Sequence, residues 1–223
     1  MYAILGLSAA VLLLLLPRPQ WRWWVAREAV RLLARLTGTP VTVHGLDHAP
    51  AGTCIAVANH PSWIDPLVLA SVMPQSFHFV AAEVLEHQGL NGFVLRRLGH
   101  QFVERHEREH GVADVDRLAA LVRGGQSLVV FPEGRLARAP GLRSFHMGAF
   151  VVAAQTGVPV VPVAIRGTRT ILRPEHHFPR RGAVDIAIGE PIWPSGTEWA
   201  AAVELQRAAR NAVLDLSGEP DVE

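Results

Sequence analysis

Cys54-Ile55-Ala56-Val57-Ala58-Asn59-His60-Pro61-Ser62-Trp63-Ile64-Asp65 decides the fold. Ile55–Ala58 reads as a buried strand, and the residues after it open a helix in which Pro61 is tolerated near the first turn. Working outward, short apolar runs and helical patterns keep alternating. Strands are predicted at Val41–His44, Cys54–Ala58, Phe77–Ala81, Gln101–Val103, Ser127–Phe131, Pro159–Ile165 and Val184–Ile188. Helices are predicted at Trp21–Leu36, Ser62–Val72, Gly89–Leu98, Val115–Arg123, Met147–Thr156 and Thr197–Leu216. That alternation argues for an α/β fold whose largely parallel central sheet is flanked by helices. No internal repeat or low-complexity linker interrupts it, and the tail after Ser217 reads as a frayed end.

The 223 residues suffice for one substantial domain. A net charge of +1 puts no strong field at the disposal of nucleic acid. All 21 basic residues are arginine, which grips phosphate as a planar fork rather than as a point charge. The single Cys54 excludes an internal disulfide framework and suits a reducing compartment.

Ala3 to Leu16 carries no charge. A helix from Met1 to Leu16 reaches about 24 Å, short of the roughly 30 Å of a hydrocarbon core. The start lacks the basic residues of a signal peptide, and Pro17-Arg18-Pro19 follows where a cleavage site would stand. Trp21, Arg22, Trp23, Trp24 and Arg27 come next, residue types that suit a membrane–water boundary. Residues 1–37 therefore read as a membrane-associating helical segment and 38–223 as the main domain. Basic residues on the C-terminal side of the apolar run place that domain on the cytoplasmic face, the inner membrane in a bacterium. The amphipathic stretch from Trp21 gathers Val25, Ala29, Leu32, Leu33 and Leu36 on one side.

Four elements carry chemistry. In the first, His60 and Asp65 stand five residues apart across a turn entering a helix. A carboxylate brought back to one imidazole nitrogen fixes the tautomer and leaves the other nitrogen free to take a proton from an alcohol. Taken alone, the same residues also read as a helix cap at Asn59, a loop histidine and a first-turn charge. The second element is Gly99-His100-Gln101-Phe102-Val103-Glu104-Arg105, a strand ending in arginine. The third is Val129-Val130-Phe131-Pro132-Glu133-Gly134-Arg135, a strand running into a turn; the fourth is the buried strand Val158–Val163. His60, Arg105, Glu133, Gly134 and Arg135 all fall at strand ends, where ligands sit in open α/β sheets.

These elements, in this order, resemble the glycerolipid acyltransferase family that includes the 1-acylglycerol-3-phosphate acyltransferases. Asn59, His60 and Asp65 match its NHxxxxD motif. Gly99, Phe102 and Arg105 match the second motif, Phe131 to Gly134 match FPEG, and Val158 to Val163 match a VPVxPV-type strand. Gly182 and Val184–Ile192 resemble the closing strand of the family. The resemblance implies an acyl transfer to the free hydroxyl of a lysophospholipid, lysophosphatidic acid foremost, with acyl-CoA or acyl-carrier protein as donor. It implies His60 as general base, Asp65 as its orienting partner, and Asn59, Arg105, Glu133, Gly134 and Arg135 around the acceptor. No cofactor, no metal and no acyl-enzyme are implied. Two departures stand out. Arg135-Leu136 follows Gly134 where the family has Thr-Arg, a form similar to acyltransferases acting on lysophosphatidylethanolamine. His146 stands in Phe145-His146-Met147-Gly148-Ala149 where the family has lysine. Lysophosphatidylethanolamine or a lyso-aminolipid is thus the alternative acceptor.

One further pattern competes. His106-Glu107-Arg108-Glu109-His110 satisfies the HExxH pattern of zinc peptidases. Glu104 through His110 is charged or titratable throughout, which leaves a helix no apolar face, and Gly111 is expected to stop it. A solvated loop is the better reading.

Overall fold

The computed structural model describes residues 16, 18–73, 77–87, 89–103, 108–136, 139–172 and 180–222. The apolar run through Leu15 lies outside them, as do Arg105, His106 and Glu107. The strands are β1 (Val41–His44), β2 (Ile55–Ala58), β3 (His78–Ala82), β4 (Gln101–Val103), β5 (Leu128–Val130), β6 (Val160–Arg166) and β7 (Val184–Ile188). The helices are α1 (Pro19–Thr37), α2 (Asp65–Val72), α3 (Gly89–Arg97), α4 (Arg108–Arg123), α5 (Gly148–Thr156), α6 (Thr168–Ile171) and α7 (Trp199–Ser217).

The seven strands form one sheet in the order β1-β7-β6-β2-β5-β3-β4. β2 lies near its middle, with Ile55 paired to Val160 of β6 on one side and to Leu128 of β5 on the other, both parallel. The expectation of a largely parallel sheet holds with one exception: β7 runs antiparallel to β6. β7 follows β6 in the chain and turns back to run beside it. β1 then pairs with β7 in parallel.

Every residue of β2 is buried, because helices cover both faces. Ile55 and Val57 pack with Leu128, Val160, Phe150 and Leu205 on one side. Ala56 and Ala58 pack with Val129, Val161, Leu69 and Trp23 on the other. The twofold alternation of a strand therefore feeds two separate cores.

Three expectations need correction. Trp23 belongs to the core, 5% exposed and stacked 6.4 Å from Phe79, while Trp21 and Trp24 stay exposed. On α1 the side opposite Trp23 carries Leu32 and Leu36 into solvent, and Arg31 donates from Nε to the Ser71 carbonyl at the end of α2. Gly111 does not stop a helix: α4 begins at Arg108 and runs through it. No group of three or more His, Cys, Asp or Glu side chains among the described residues is arranged to hold a metal ion. Finally, the tail after Ser217 is held. Leu142 N–H donates to the Pro220 carbonyl (2.8 Å), and Arg210, 4% exposed, donates to the Leu142 and Arg143 carbonyls and pairs with Asp221.

Candidate active site

The carboxyl end of β2 delivers Asn59 and His60 into the turn before α2. Residues 61–64 form a turn rather than the first part of the expected helix, because the Asp65 carboxylate folds back over them. Its Oδ2 accepts from Ser62 N–H (2.7 Å) and from His60 Nδ1 (2.9 Å). Nδ1 thus carries the hydrogen, and Nε2 is left as the basic nitrogen. The Asp65 side chain is wholly buried, whereas that of His60 is 16% exposed, enough to meet a substrate proton. Burial raises the Asp65 pKa; hydrogen bonding with His60, its charge, the Thr168 hydroxyl and the Ser62 N–H oppose the rise. Its place in the first turn of α2 favours the anion as well.

Phe131, leaving β5, stacks on the His60 ring at 4.1 Å and 19°. Phe79 lies 6.3 Å beyond Phe131, and Trp23 of α1 beyond that, so a row of rings supports the imidazole from behind.

The residues expected around the acceptor divide. Asn59 is 1% exposed and gives its whole amide to the neighbouring strand: Nδ2 donates to the Ile165 carbonyl (3.0 Å) and Oδ1 accepts from the Ile165 N–H (2.7 Å). It braces β2 against β6 with both polar atoms of its side chain engaged. Glu133 is also a brace. Its Oε1 accepts from His60 N–H (2.9 Å) and its Oε2 from Arg143 N–H (3.2 Å). Burial raises its pKa, and those two N–H groups hold it down. A carboxylate so engaged fixes the position of the His60 backbone. Gly134 has φ +73°, and a Cβ there would lie 2.8 Å from the His146 ring, so the turn requires glycine. Arg135 follows on the exposed rim of that turn. Arg105 lies outside the described residues.

Cys54, 1% exposed, has its thiol pushed up to about 11 by burial and is placed as core rather than as a nucleophile. Two participants escaped the sequence reading. Thr168, fully buried, stands beside Asp65. Arg210 ties the tail to the loop whose Arg143 N–H holds Glu133. Its signal was a charge on the apolar side of α7 among Leu205, Ala209 and Val213.

A histidine held by a buried carboxylate, at the carboxyl end of a central strand in an α/β sheet, is an arrangement able to accept a proton from a substrate placed there. Residues 40–166, more than half of the chain, match the family model described as Acyltransferase. The chain belongs to that family, as its four motifs led us to expect, and is an acyltransferase. It is 27% identical over 218 residues to the 1-acyl-sn-glycerol-3-phosphate acyltransferase of Saccharomyces cerevisiae, covering 96% of this chain and 72% of the yeast protein. It is 32% identical over 209 residues to the lyso-ornithine lipid O-acyltransferase of Pseudomonas aeruginosa, covering 86% of this chain and 76% of that protein. The crystal structure of the 1-acyl-sn-glycerophosphate acyltransferase PlsC from Thermotoga maritima shares its fold, with a TM-score of 0.76 at 22% identity over 95% of this chain and 88% of that one.

Proposed function

We propose that this acyltransferase moves a fatty acyl group from a thioester, acyl-CoA or acyl-carrier protein, to the free hydroxyl of lysophosphatidic acid. The observation that carries the reading is the 2.9 Å contact of His60 Nδ1 with the buried Asp65 carboxylate, which leaves Nε2 as base. Nε2 takes the hydroxyl proton as the oxygen attacks the thioester carbonyl. The carbon–sulfur bond breaks, the thiolate leaves, and the imidazolium returns the proton to it. Asp65 stabilises the imidazolium between these steps. No covalent intermediate on the protein is needed, which suits a chain whose one cysteine is buried in the core. Glu133 acts by fixing the His60 backbone. The acceptor phosphate is assigned to the turn at Gly134, to Arg135 on its rim and to Arg105, whose guanidinium forks suit phosphate oxygens.

The site works at a membrane surface. Among the described residues no helix is long and apolar enough to cross a bilayer. Trp21, Trp24, Leu32 and Leu36 of α1, with Trp63 and Leu67 near His60, are nonetheless exposed and apolar, the composition of an interfacial face. With the apolar run through Leu15, they would hold the enzyme on the cytoplasmic side, where a lipid acceptor can be drawn from the bilayer.

A second reading keeps the chemistry and changes the acceptor. The 32% identity to a protein named for a lyso-ornithine lipid favours a phosphate-free lyso-aminolipid, and the Glu133-Gly134-Arg135 sequence leaves lysophosphatidylethanolamine as a third acceptor. The test is a panel of all three lipids with one long-chain thioester. Lysophosphatidic acid should give the highest kcat/KM, with a lead that narrows in Arg135→Thr. A win for the phosphate-free lipid removes the phosphate roles of Arg105 and Arg135 and leaves the His60–Asp65 chemistry standing.

A further inference from the structure

The Asp65 carboxylate has an unequal pair of oxygens. Oδ2 accepts both of the hydrogen bonds that hold the catalytic turn. Oδ1 is buried and has no hydrogen-bond partner among the described residues. The only hydroxyl in the same condition is that of Thr168, whose Oγ1 is buried and equally without a partner among the described residues. Thr168 is 0% exposed and opens α6 directly after β6. The fold brings the two orphans to the same place. Asn59 holds Ile165 just before Thr168 and Ser62 holds Leu172 just after it, so the turn that carries Asp65 brackets Thr168 on both sides. The hydroxyl favours the Asp65 anion. A buried acceptor and a buried donor left apart each carry a desolvation cost, and closing the contact removes both.

The backbone shows how Thr168 comes to be there. Gly167 has φ +89°, and a Cβ at that position would meet the Ala183 carbonyl oxygen at 2.1 Å. Glycine alone permits the sharp exit from β6 that turns the next side chain inward. Ser62 then ties the following turn to the catalytic one by donating from Oγ to the Leu172 carbonyl (2.7 Å). α6 is thereby fixed beside Asp65 from two directions.

We infer that Thr168 is a positioning residue for catalysis, donating from its hydroxyl to Asp65 Oδ1 so that His60, Asp65 and Thr168 form one relay. The inference rests on the acyl-transfer reading of His60 and Asp65. With Oδ2 saturated by Ser62 and His60, Oδ1 is the atom by which the carboxylate plane would swing. A donor there holds that plane edge-on to the imidazole and favours the ionised carboxylate that orients it. Of the other titratable and charged groups near the site, Glu133 accepts from the His60 and Arg143 N–H groups, His146 lies against Gly134, and Arg169 of α6 pairs with Glu219, whereas Asp65 Oδ2 is bonded to His60 and Ser62.

Thr168→Val keeps the shape and removes the hydroxyl, whereas Thr168→Ser keeps the hydroxyl. In Thr168→Val, kcat should fall about 10- to 100-fold, the effect of a hydrogen bond to a charged group, with acceptor KM little changed. Losing the donor destabilises the anion relative to every protonated form of the pair. The acid limb of kcat/KM should therefore move to higher pH, and the His60 ring signals should titrate at higher pH by NMR. Thr168→Ser should restore both. Should the valine variant fail to fold, Thr168→Ser and Thr168→Ala decide, because both lose the methyl and only serine retains the donor. Wild-type kcat and an unmoved His60 titration in the hydroxyl-free variants overturn the inference, as does an equal loss in serine and alanine. The NMR titration reads the relay even if none of the lipid acceptors proves to be a substrate.

Discussion

Acidification should unfold this protein through a histidine that takes no part in its chemistry. His100 is 8% exposed, edge-on to Trp23 and Phe79, and its Nδ1 accepts from the Phe79 N–H at 3.1 Å. Burial, with a smaller contribution from His78, lowers its pKa to about 3. The folded pKa thus lies below the unfolded value of about 6.5. The unfolded chain binds the extra proton between those values, so stability is complete above the unfolded pKa and is lost as pH falls toward 3. Between pH 7 and pH 5 the loss from this one group is about 2 kcal/mol, at about 1.4 kcal/mol per unit below the unfolded pKa. Both pH values lie above the folded pKa, so the figure depends chiefly on the unfolded one. His100→Gln keeps an acceptor for Phe79 and removes the titration. Urea unfolding in detergent micelles at the two pH values, with wild type and variant side by side, subtracts every other titrating group. The wild type should lose about 2 kcal/mol more than the variant. Equal losses would mean that His100 is not held neutral by the core, and the placement of Trp23 there would fall with it.

Asn59→Ala leaves the Ile165 N–H and carbonyl buried without partners, at about 1–3 kcal/mol each. The melting temperature should drop by about 5–15 °C, and a drop under about 2 °C contradicts the brace. Arg210→Met removes four hydrogen bonds at the tail and should cost about 2–4 kcal/mol in urea unfolding. Asp221→Asn, at a half-exposed partner, should cost less than about 1 kcal/mol; a larger cost for Asp221 than for Arg210 reverses the assignment of the anchor.

Most of the fold was legible because β2 is an unbroken apolar run and β6 is one up to its last residue, Arg166, and buried strands of a largely parallel sheet leave that trace. β7 was legible as a strand and not in its direction, since alternation carries no sign. The His60–Asp65 pair was legible because its spacing is local. The backbone contacts of Asn59 and Glu133 were not. Their partners, Ile165 and Arg143, lie 106 and 10 residues away and engage through backbone atoms that no side-chain pattern records. Trp23 was misplaced for a related reason: three tryptophans in four residues point different ways around a helix, and composition alone cannot tell the one that meets Phe79. The tail after Ser217 looked frayed because its hold depends on Arg210 and on the loop at Leu142, distant in sequence.

Everything proposed for the chemistry requires His60 to be the base. The direct measurement is the initial rate of thioester-dependent acylation of lysophosphatidic acid by His60→Ala beside wild type, both in the same micelles and with circular dichroism confirming the fold. kcat should fall about 10²- to 10⁴-fold, with the acceptor bound as before. Turnover within about threefold of wild type, far inside the range for loss of a general base, would contradict it.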